Sequence, residues 1–426
     1  MTIHVVSAGE TVASIAAAYG VSPRLLQQQN QLPDTGQLVV GQALVVLFPT
    51  QTHTVSPGES LFGIARRYGT TVDALLRNNY FLLGQGNLQP GQELVIALEE
   101  DRQGVLAVNG YAYPFIPQIV LEQQLPYLTH LTPFTYGITA EGRLVPLGDE
   151  KLLASAQQYR VTPWMHLSTL TEMGNFSSPL AEQILSDPER QGLLIQDVEA
   201  TMLRKGYRGL DVDFEYLPGS LAGAYAAFIA ALRQRLSQYG YPVIVALAPK
   251  TSGDQPGLLY EGHDYPALGQ AADAVLLMTY EWGYTYGPPM AVAPLPQVRR
   301  VLNYALSVIP REKIFLGVPT YGYDWPLPYR RGVTRANSLS PQAALTLARR
   351  FGAEIQYDPV SQAPWFRYRE GGEDHEVWFE DARSAQAKLT LAAENGLLGI
   401  GLWNLMRLFP QLYLILNARY VIQSAI

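Results

Sequence analysis

The chain contains no cysteine among its 426 residues, so its fold uses neither disulfides nor thiolate metal sites. Its 6 histidines show no metal-ligand spacing such as His-Glu-x-x-His. The histidines considered as ligands include His4, His53, His263 and His375. We therefore expect no bound metal and no other cofactor.

Charged residues are also scarce. They make up 16% of the chain, and the formal net charge is −7. An acidic chain is repelled by nucleic acid and by anionic membranes, so neither is an expected partner. The apolar stretch at residues 412–416 is interrupted by Asn417 and Arg419 and is too short to span a bilayer. Residues 1–5 lack the basic start and apolar segment of a secretory signal, and we expect none.

An internal repeat occupies the N-terminal part of the chain. Residues 4–11 align with residues 53–60, and residues 40–42 align with residues 90–92. Each copy predicts a short strand, two helices and a closing strand. Further pairs that match between the copies are Thr11 with Ser60, Ile15 with Ile64, Tyr19 with Tyr68 and Asn30 with Asn79.

The two copies, at residues 2–48 and 51–97, resemble LysM modules, which bind glycans that contain N-acetylglucosamine. The alternative is a pair of small βααβ domains of another role. No ionisable residue recurs in a catalytic arrangement, so each copy is interpreted as a binding module, and tandem copies raise the affinity for a polymer. We expect residues 1–98 to anchor the protein and to take no part in catalysis.

After residues 99–101 the pattern changes to apolar strands that alternate with helical segments, such as 221–236 and 295–307. Eight βα units predict an α/β fold, a (β/α)8 TIM barrel over residues 101–426, with its active site at the carboxyl ends of the strands. The predicted strands are 105–108, 128–135, 161–166, 209–215, 243–248, 274–280, 314–319 and 398–403.

The gap between the seventh and eighth predicted strands is unusually long. It contains further strand-like runs at residues 354–357, 365–369 and 376–379. These runs predict a small α+β insertion at residues 326–385, which we expect to form one wall of a substrate groove.

The fourth predicted strand carries three alternating acids, Asp211, Asp213 and Glu215. Side chains two apart share one face of a strand, so the carboxylates point one way and the apolar residues between them point the other. Three carboxylates in one interior row repel each other unless protons are shared, and sharing keeps a carboxylic acid protonated near neutral pH. A solvated strand edge or a calcium site is the alternative, but calcium ligands come from turns rich in Gly and Asn.

The acid row resembles the Asp-x-Asp-x-Glu motif of glycoside hydrolase family 18, the chitinase-like (β/α)8 barrels. Met278 and Tyr280 match the family's Met-x-Tyr at the sixth strand, Trp403 matches the Trp that ends the eighth, and residues 317–322 resemble the seventh-strand segment. Two positions depart from the family pattern. Arg208 replaces an outer Asp, and Glu281 replaces the usual Asp after Tyr280.

The resemblance implies a glycoside hydrolase with a substrate-assisted retaining mechanism, in which the 2-acetamido group of the substrate is the nucleophile. Glu215 would be the acid and base, Asp213 would orient the acetamido group, Asp211 would tune the proton held by Asp213, and Tyr280 would bind the acetamido carbonyl. Trp403, Met278, Glu281 and Tyr321 are the expected substrate-binding residues. Trp164 and His166 on the third strand are interpreted as packing or groove residues.

The order of domains resembles that of the spore-cortex-lytic N-acetylglucosaminidases of endospore-forming bacteria. We therefore expect a monomer whose partner is peptidoglycan or another N-acetylglucosamine polymer, placed in the spore coat or cortex, or otherwise associated with the cell wall. The alternatives are a chitinase and a glycan-binding coat protein without turnover. The presence of Glu215 argues against the latter, because barrel lectins of this family usually lose that residue.

Overall fold

A computed structural model of the chain describes residues 1–33, 35–83, 88–99, 101–170 and 176–424. Glu100, which falls in the predicted boundary between the repeats and the barrel, lies outside the described residues. In the described part of the chain, no helix is both long and apolar enough to cross a membrane.

The two repeats fold as the sequence predicts, each with two strands and two helices. Thr11 and Ser60 cap the first helix of each copy with their side-chain oxygens. Asn30 and Asn79 each bond the backbone of the closing strand in both directions, which explains why Asn recurs there. The elements are Thr2–Val5, Val12–Tyr19, Pro23–Gln29 and Ala43–Val46, then Pro49–Thr54, Leu61–Arg67, Val72–Asn78 and Glu93–Leu98.

A closed parallel barrel follows the repeats, and all eight predicted strands are present. Strand segments Thr162–Pro163 and Met165–Ser168 flank Trp164 and together form the third barrel strand. The first segment pairs with the second barrel strand and the other with the fourth, so the ring closes. The remaining barrel strands, in order, are Val105–Ala112, His130–Pro133, Leu210–Asp213, Val243–Leu247, Ala274–Leu277, Ile314–Pro319 and Gly399–Trp403.

Helices cover the outside of the barrel because the outward-facing strand residues are apolar. Leu210, Val212 and Phe214 are fully buried, and Phe214 stacks on Tyr225 and Phe228 of the helix that follows the fourth strand. The described helices of the barrel are Gln118–Glu122, Glu150–Tyr159, Ser178–Leu185, Pro188–Lys205, Ala222–Leu236, Tyr265–Ala271, Leu295–Val308, Ala382–Glu394 and Pro410–Arg419.

The insertion between the seventh and eighth barrel strands is an antiparallel sheet with one helix, Pro341–Phe351. In spatial order its strands are Asn337–Leu339, Gly322–Leu327, Glu373–Trp378, Ala363–Glu370 and Gln356–Asp358. The sheet thus begins at Gly322, ahead of the predicted start at 326. The helix that starts at Ala382 belongs to the outer ring of the barrel, although the predicted insertion extends to 385. We call this unit the insertion sheet.

The repeats pack against the barrel and against each other. Tyr80 of the second repeat is fully buried and stacks on Tyr413, with Tyr127 at 6.0 Å. Tyr127 also donates a hydrogen bond of 2.8 Å to the backbone oxygen of Arg77. The change of sequence pattern near residues 99–101 therefore does not correspond to a gap in packing.

Candidate active site

The acid row lies on the inner face of the fourth barrel strand, as its alternation predicts. Asp211 is fully buried and Asp213 is 5% exposed, whereas Glu215 lies two residues beyond the end of the strand and is only half-buried. The predicted strand runs to 215, but the observed strand ends at Asp213. The three acids therefore run from the barrel interior to its carboxyl-terminal mouth.

Asp211 and Asp213 are buried without full hydrogen bonding. Tyr111 donates to Oδ2 of Asp211 at 2.5 Å, but among the described residues the Oδ1 atoms of both aspartates have no partner. Burial raises the pKa of Asp211 to about 7. Burial, with the negative charges of Glu215 and Asp211, raises the pKa of Asp213 well above its ordinary value. A proton shared between the two carboxyl groups would satisfy both orphaned oxygens and remove one charge.

Glu215 has the electrostatic environment of a general acid. Burial of its carboxyl group, reinforced by the negative charge of Glu281, raises its pKa to about 7. A carboxyl group with this pKa is substantially protonated at neutral pH and still ionises readily, as acid–base catalysis requires.

Glu281 is held at the rim of the site by two tyrosines. The Tyr321 hydroxyl donates to Oε1 of Glu281, and the Tyr323 hydroxyl lies 3.1 Å from Oε1 and 3.2 Å from Oε2. Desolvation of the carboxyl group raises the pKa of Glu281, and the two tyrosine hydrogen bonds oppose that rise. Glu281 has a backbone φ of 66°, a left-handed conformation that is strained for a residue with a side chain.

A cavity of about 380 Å³ opens at the carboxyl ends of the strands and contains most of the predicted site. Tyr321 reaches the site through Glu281 and is not part of the cavity lining. Of the predicted residues, the cavity is lined by Asp213, Glu215, Met278, Tyr280, Glu281 and Trp403, whereas Asp211 lies beneath them.

An aromatic cluster forms one side of the cavity. The ring of Trp403 packs against Phe134 at 4.9 Å, Tyr111 at 5.8 Å and Tyr113 at 6.3 Å, measured between ring centroids. The site therefore combines buried carboxyl groups with a flat apolar surface. Sugar rings, which carry polar edges and apolar faces, suit this combination.

Sequence reasoning missed several lining residues. Tyr111, Tyr113 and Phe134 were not predicted, and only their positions at the ends of the first two strands could have indicated them. His166, which sequence patterning left as a packing or groove residue, lines the cavity with Nε2 3.8 Å from Asp213. Burial lowers the pKa of His166 to about 3, so at neutral pH this contact is not an ion pair.

Trp164 and Arg208 lie at the end of the barrel opposite the cavity. Trp164 is buried in the interior against His130 and Phe315, so its role is packing. A Cβ atom on Gly209 would lie 2.4 Å from the Trp164 ring, which explains the glycine. Arg208, at the departure from the family motif, is exposed and bonds Tyr241, so this departure does not touch the cavity.

Comparison with known proteins identifies both parts of the chain. The profile described as "Glycosyl hydrolases family 18" matches residues 162–407, and the profile described as "LysM domain" matches residues 4–46 and 53–97. A cortical fragment-lytic enzyme of Bacillus subtilis (strain 168) is 39% identical over 430 residues, covering 99% of this chain and 98% of the relative.

Solved structures agree with these matches. The spore cortex-lytic enzyme SleL of Bacillus megaterium QM B1551 superposes with a TM-score of 0.83 at 37% identity, covering 100% of this chain and 99% of that one. A chitinase of Chromobacterium violaceum ATCC 12472 superposes with a TM-score of 0.68 at 26% identity and covers 74% of this chain. The likeness to the chitinase is thus more distant and leaves a quarter of the chain unmatched.

Proposed function

Because the chain belongs to glycosyl hydrolase family 18 and carries two LysM domains, we propose that it is an N-acetylglucosaminidase of spore-cortex peptidoglycan. It cleaves the β-1,4 bond that follows N-acetylglucosamine. The observation that carries this proposal is the acid row, which ends in a half-buried Glu215 at the mouth of an aromatic-sided cavity.

Glu215 is the proposed acid and base. Its pKa of about 7 keeps a proton available for the leaving glycosidic oxygen, and the resulting carboxylate later accepts a proton from water. In most glycosidases a second carboxylate attacks the sugar from the opposite face. Asp213 lies only two residues from Glu215 and lines the same cavity, so it is badly placed for that attack.

The nucleophile in our mechanism is the 2-acetamido oxygen of the substrate, which attacks C1 and forms an oxazolinium ion. Asp213 faces the cavity, where it orients the acetamido N–H and stabilises the positive charge that develops. Asp211 exchanges the shared proton with Asp213 as that charge appears. Tyr280 also lines the cavity and donates to the acetamido carbonyl.

The remaining cavity residues bind the sugar. Trp403 presents its ring as an apolar floor, and Met278 lies beside Tyr280 in the wall. Glu281, with its two tyrosine partners, holds negative charge near Glu215 and so helps to keep the acid protonated. None of these residues acts as the nucleophile, because the substrate's acetamido oxygen does.

Cortex is the proposed substrate because the full-length relative and the full-length structural neighbour described above are named for cortex lysis. The two LysM domains favour a polymer with repeated N-acetylglucosamine, on which tandem binding raises affinity. We propose that the protein works as a monomer on peptidoglycan, in the coat or cortex of the spore.

A substrate panel tests the proposal. The full-length protein is incubated with cortex fragments, vegetative peptidoglycan and chitin oligomers, and the products are identified by mass spectrometry. We expect cortex fragments to be cleaved fastest. Faster cleavage of chitin would favour the chitinase alternative, and binding without cleavage of any substrate would favour a glycan-binding protein.

A further inference from the structure

A loop of the first LysM module packs against the edge of the insertion sheet. This docking loop, residues 37–41, connects the second helix of the module to its closing strand. Val39 is 5% exposed and belongs to the same apolar cluster as Leu339, Ala344 and Ile355 of the insertion. The loop therefore completes a hydrophobic core that lies in another domain.

The backbone of the docking loop is bonded at three points. The Ile355 amide donates to the oxygen of Val40 at 2.9 Å, and Arg383 donates to the oxygen of Gly41 at 3.2 Å. Arg349, on the insertion helix, donates to the oxygen of Gln37 at 3.3 Å. The contacts with Ile355 and Arg349 fix the loop to the edge of the insertion, because Ile355 immediately precedes the edge strand Gln356–Asp358. The contact with Arg383 joins the loop to the barrel helix Ala382–Glu394.

The docking loop and the insertion approach each other most closely at Gly41. A Cβ atom at Gly41 would lie 1.9 Å from the backbone oxygen of Ile355, well inside any permitted contact. The equivalent glycine of the second module is Gly91, and a Cβ atom there would meet nothing within 4 Å. The two glycines have nearly the same φ, 83° and 81°, so their intrinsic preference for glycine is matched.

The insertion sheet connects this edge to the active site. In the strand register, Gln356 faces Trp365, Trp365 faces Trp378, and Trp378 faces Tyr323. Trp365 and Trp378 stack at 5.7 Å between ring centroids. Tyr323 is the residue that bonds both carboxylate oxygens of Glu281. A shift of the sheet edge therefore moves the sheet that carries the Tyr323 hydroxyl.

We propose that the docking loop of the first LysM module is a positioning element of the active site, which holds the insertion sheet so that Tyr323 stays on Glu281. This role rests on the proposed hydrolase function and goes beyond anchoring. It departs from the sequence-based expectation that residues 1–98 take no part in catalysis.

The second module makes no equivalent contact within the described residues. Its corresponding turn faces the first module instead, where Arg24 donates to the oxygen of Gly91 at 3.1 Å and Ser22 donates to Glu93 at 2.8 Å. Among the residues that the structure describes, the turn of the first module reaches the insertion sheet and the matching turn of the second contacts the first module.

The test compares Gly41→Ala with Gly91→Ala in the full-length protein. Both changes add a methyl group at the same left-handed φ, but only Gly41→Ala forces the module away from Ile355. We expect kcat on a short soluble N-acetylglucosamine oligosaccharide to fall by about 10-fold or more in Gly41→Ala, since small misplacements of site groups have large costs. Gly91→Ala should stay within about 2-fold of wild type.

A pH profile separates positioning from simple loss of stability. When Tyr323 leaves Glu281, Glu281 is more easily protonated, and the negative charge that supports the proton on Glu215 weakens. The basic limb of kcat against pH should therefore move to lower pH in Gly41→Ala and not in Gly91→Ala. Unfolding of a fraction of the molecules would lower kcat at every pH without moving the limb.

A milder variant covers the case in which Gly41→Ala does not fold. Val39→Ala removes packing from the same core without overlap and should move the limb in the same direction by less. If folded Gly41→Ala or Val39→Ala keeps the wild-type kcat and pH profile, the docking loop has no positioning role. Absence of wild-type hydrolysis of every N-acetylglucosamine substrate would instead refute the proposed function itself.

Discussion

Replacement of Asp211 by Asn should stabilise the protein at alkaline pH while it slows catalysis. Asp211 is fully buried, and its pKa rises from 3.8 to about 7 on folding. The folded state therefore binds more protons than the unfolded state between these values, and the stability of the wild type falls as pH rises through that window. Asn carries no proton to lose, so the variant should not show this fall.

The size of the effect follows from the two pKa values. A buried carboxyl group with this shift costs on the order of 4 kcal/mol at pH 8 and about 1.5 kcal/mol at pH 5. The Asn oxygen can still accept from Tyr111. We therefore expect Asp211→Asn to gain about 2–3 kcal/mol more at pH 8 than at pH 5.

Thermal unfolding measures this gain. Relative to wild type, Tm of Asp211→Asn should rise by roughly 2–3 °C more at pH 8 than at pH 5, because the unfolding entropy of a 426-residue chain is large. Asp254→Asn is the control, because Asp254 is exposed and its hydrogen bond with Ser252 lowers its pKa. That variant should gain nothing at pH 8. If Asp211→Asn gives the same Tm difference at both pH values, Asp211 is already ionised in the native state and the shared-proton account is wrong.

Four further outcomes concern the reaction. Glu215→Gln should lower kcat by about 10²–10⁴-fold, with co-sedimentation with cortex unchanged, and turnover near the wild-type rate in the folded variant would overturn the acid assignment. Asp213→Asn should lower kcat with little effect on KM, because Asp213 stabilises the positive charge that develops on the acetamido group during the reaction. An effect confined to KM would contradict this role. A substrate without the acetyl group on the attacked sugar should not be hydrolysed, as measured by product analysis against its acetylated match. Tyr323→Phe should move the basic limb of kcat to lower pH, because Glu281 loses a donor and supports the proton on Glu215 less.

The fold and the centre of the site could be predicted from local pattern. Asp211, Asp213 and Glu215 alternate with apolar residues, and on a barrel strand this alternation alone sends the acids inward. The repeat could be predicted for a similar reason. Its recurring Thr or Ser and its Asn perform the same capping and backbone bonding in both copies.

The aromatic side of the cavity could not be predicted because its residues carry no local pattern. Tyr111 belongs to the first strand, Tyr113 follows it and Phe134 follows the second, and only barrel closure brings them to Trp403. Trp164 and His166 are two residues apart on one strand, yet one packs at the bottom and the other lines the cavity. The depth of each residue in the barrel determines whether it packs or lines the cavity, and the local sequence does not encode this depth.

The contact between the first module and the insertion sheet was also absent from the sequence-based expectations. In the sequence, Val39 and Gly41 look like ordinary residues of a repeat. Their partner Ile355 lies more than 300 residues further along the chain, so no local pattern links them. The repeat comparison in fact favours independent modules, because both glycines serve the same turn. Only the folded structure distinguishes Gly41, which touches a second domain, from Gly91, which does not.

The new reducing end formed on cortex tests the central claim most directly. Cortex fragments digested by the full-length protein are reduced with borohydride and analysed by mass spectrometry, with Glu215→Gln as the blank. Cleavage after N-acetylglucosamine predicts products whose reduced terminal sugar is N-acetylglucosaminitol, formed by the wild type only. Products that end in reduced muramic acid, or equal product formation by Glu215→Gln, would contradict the account.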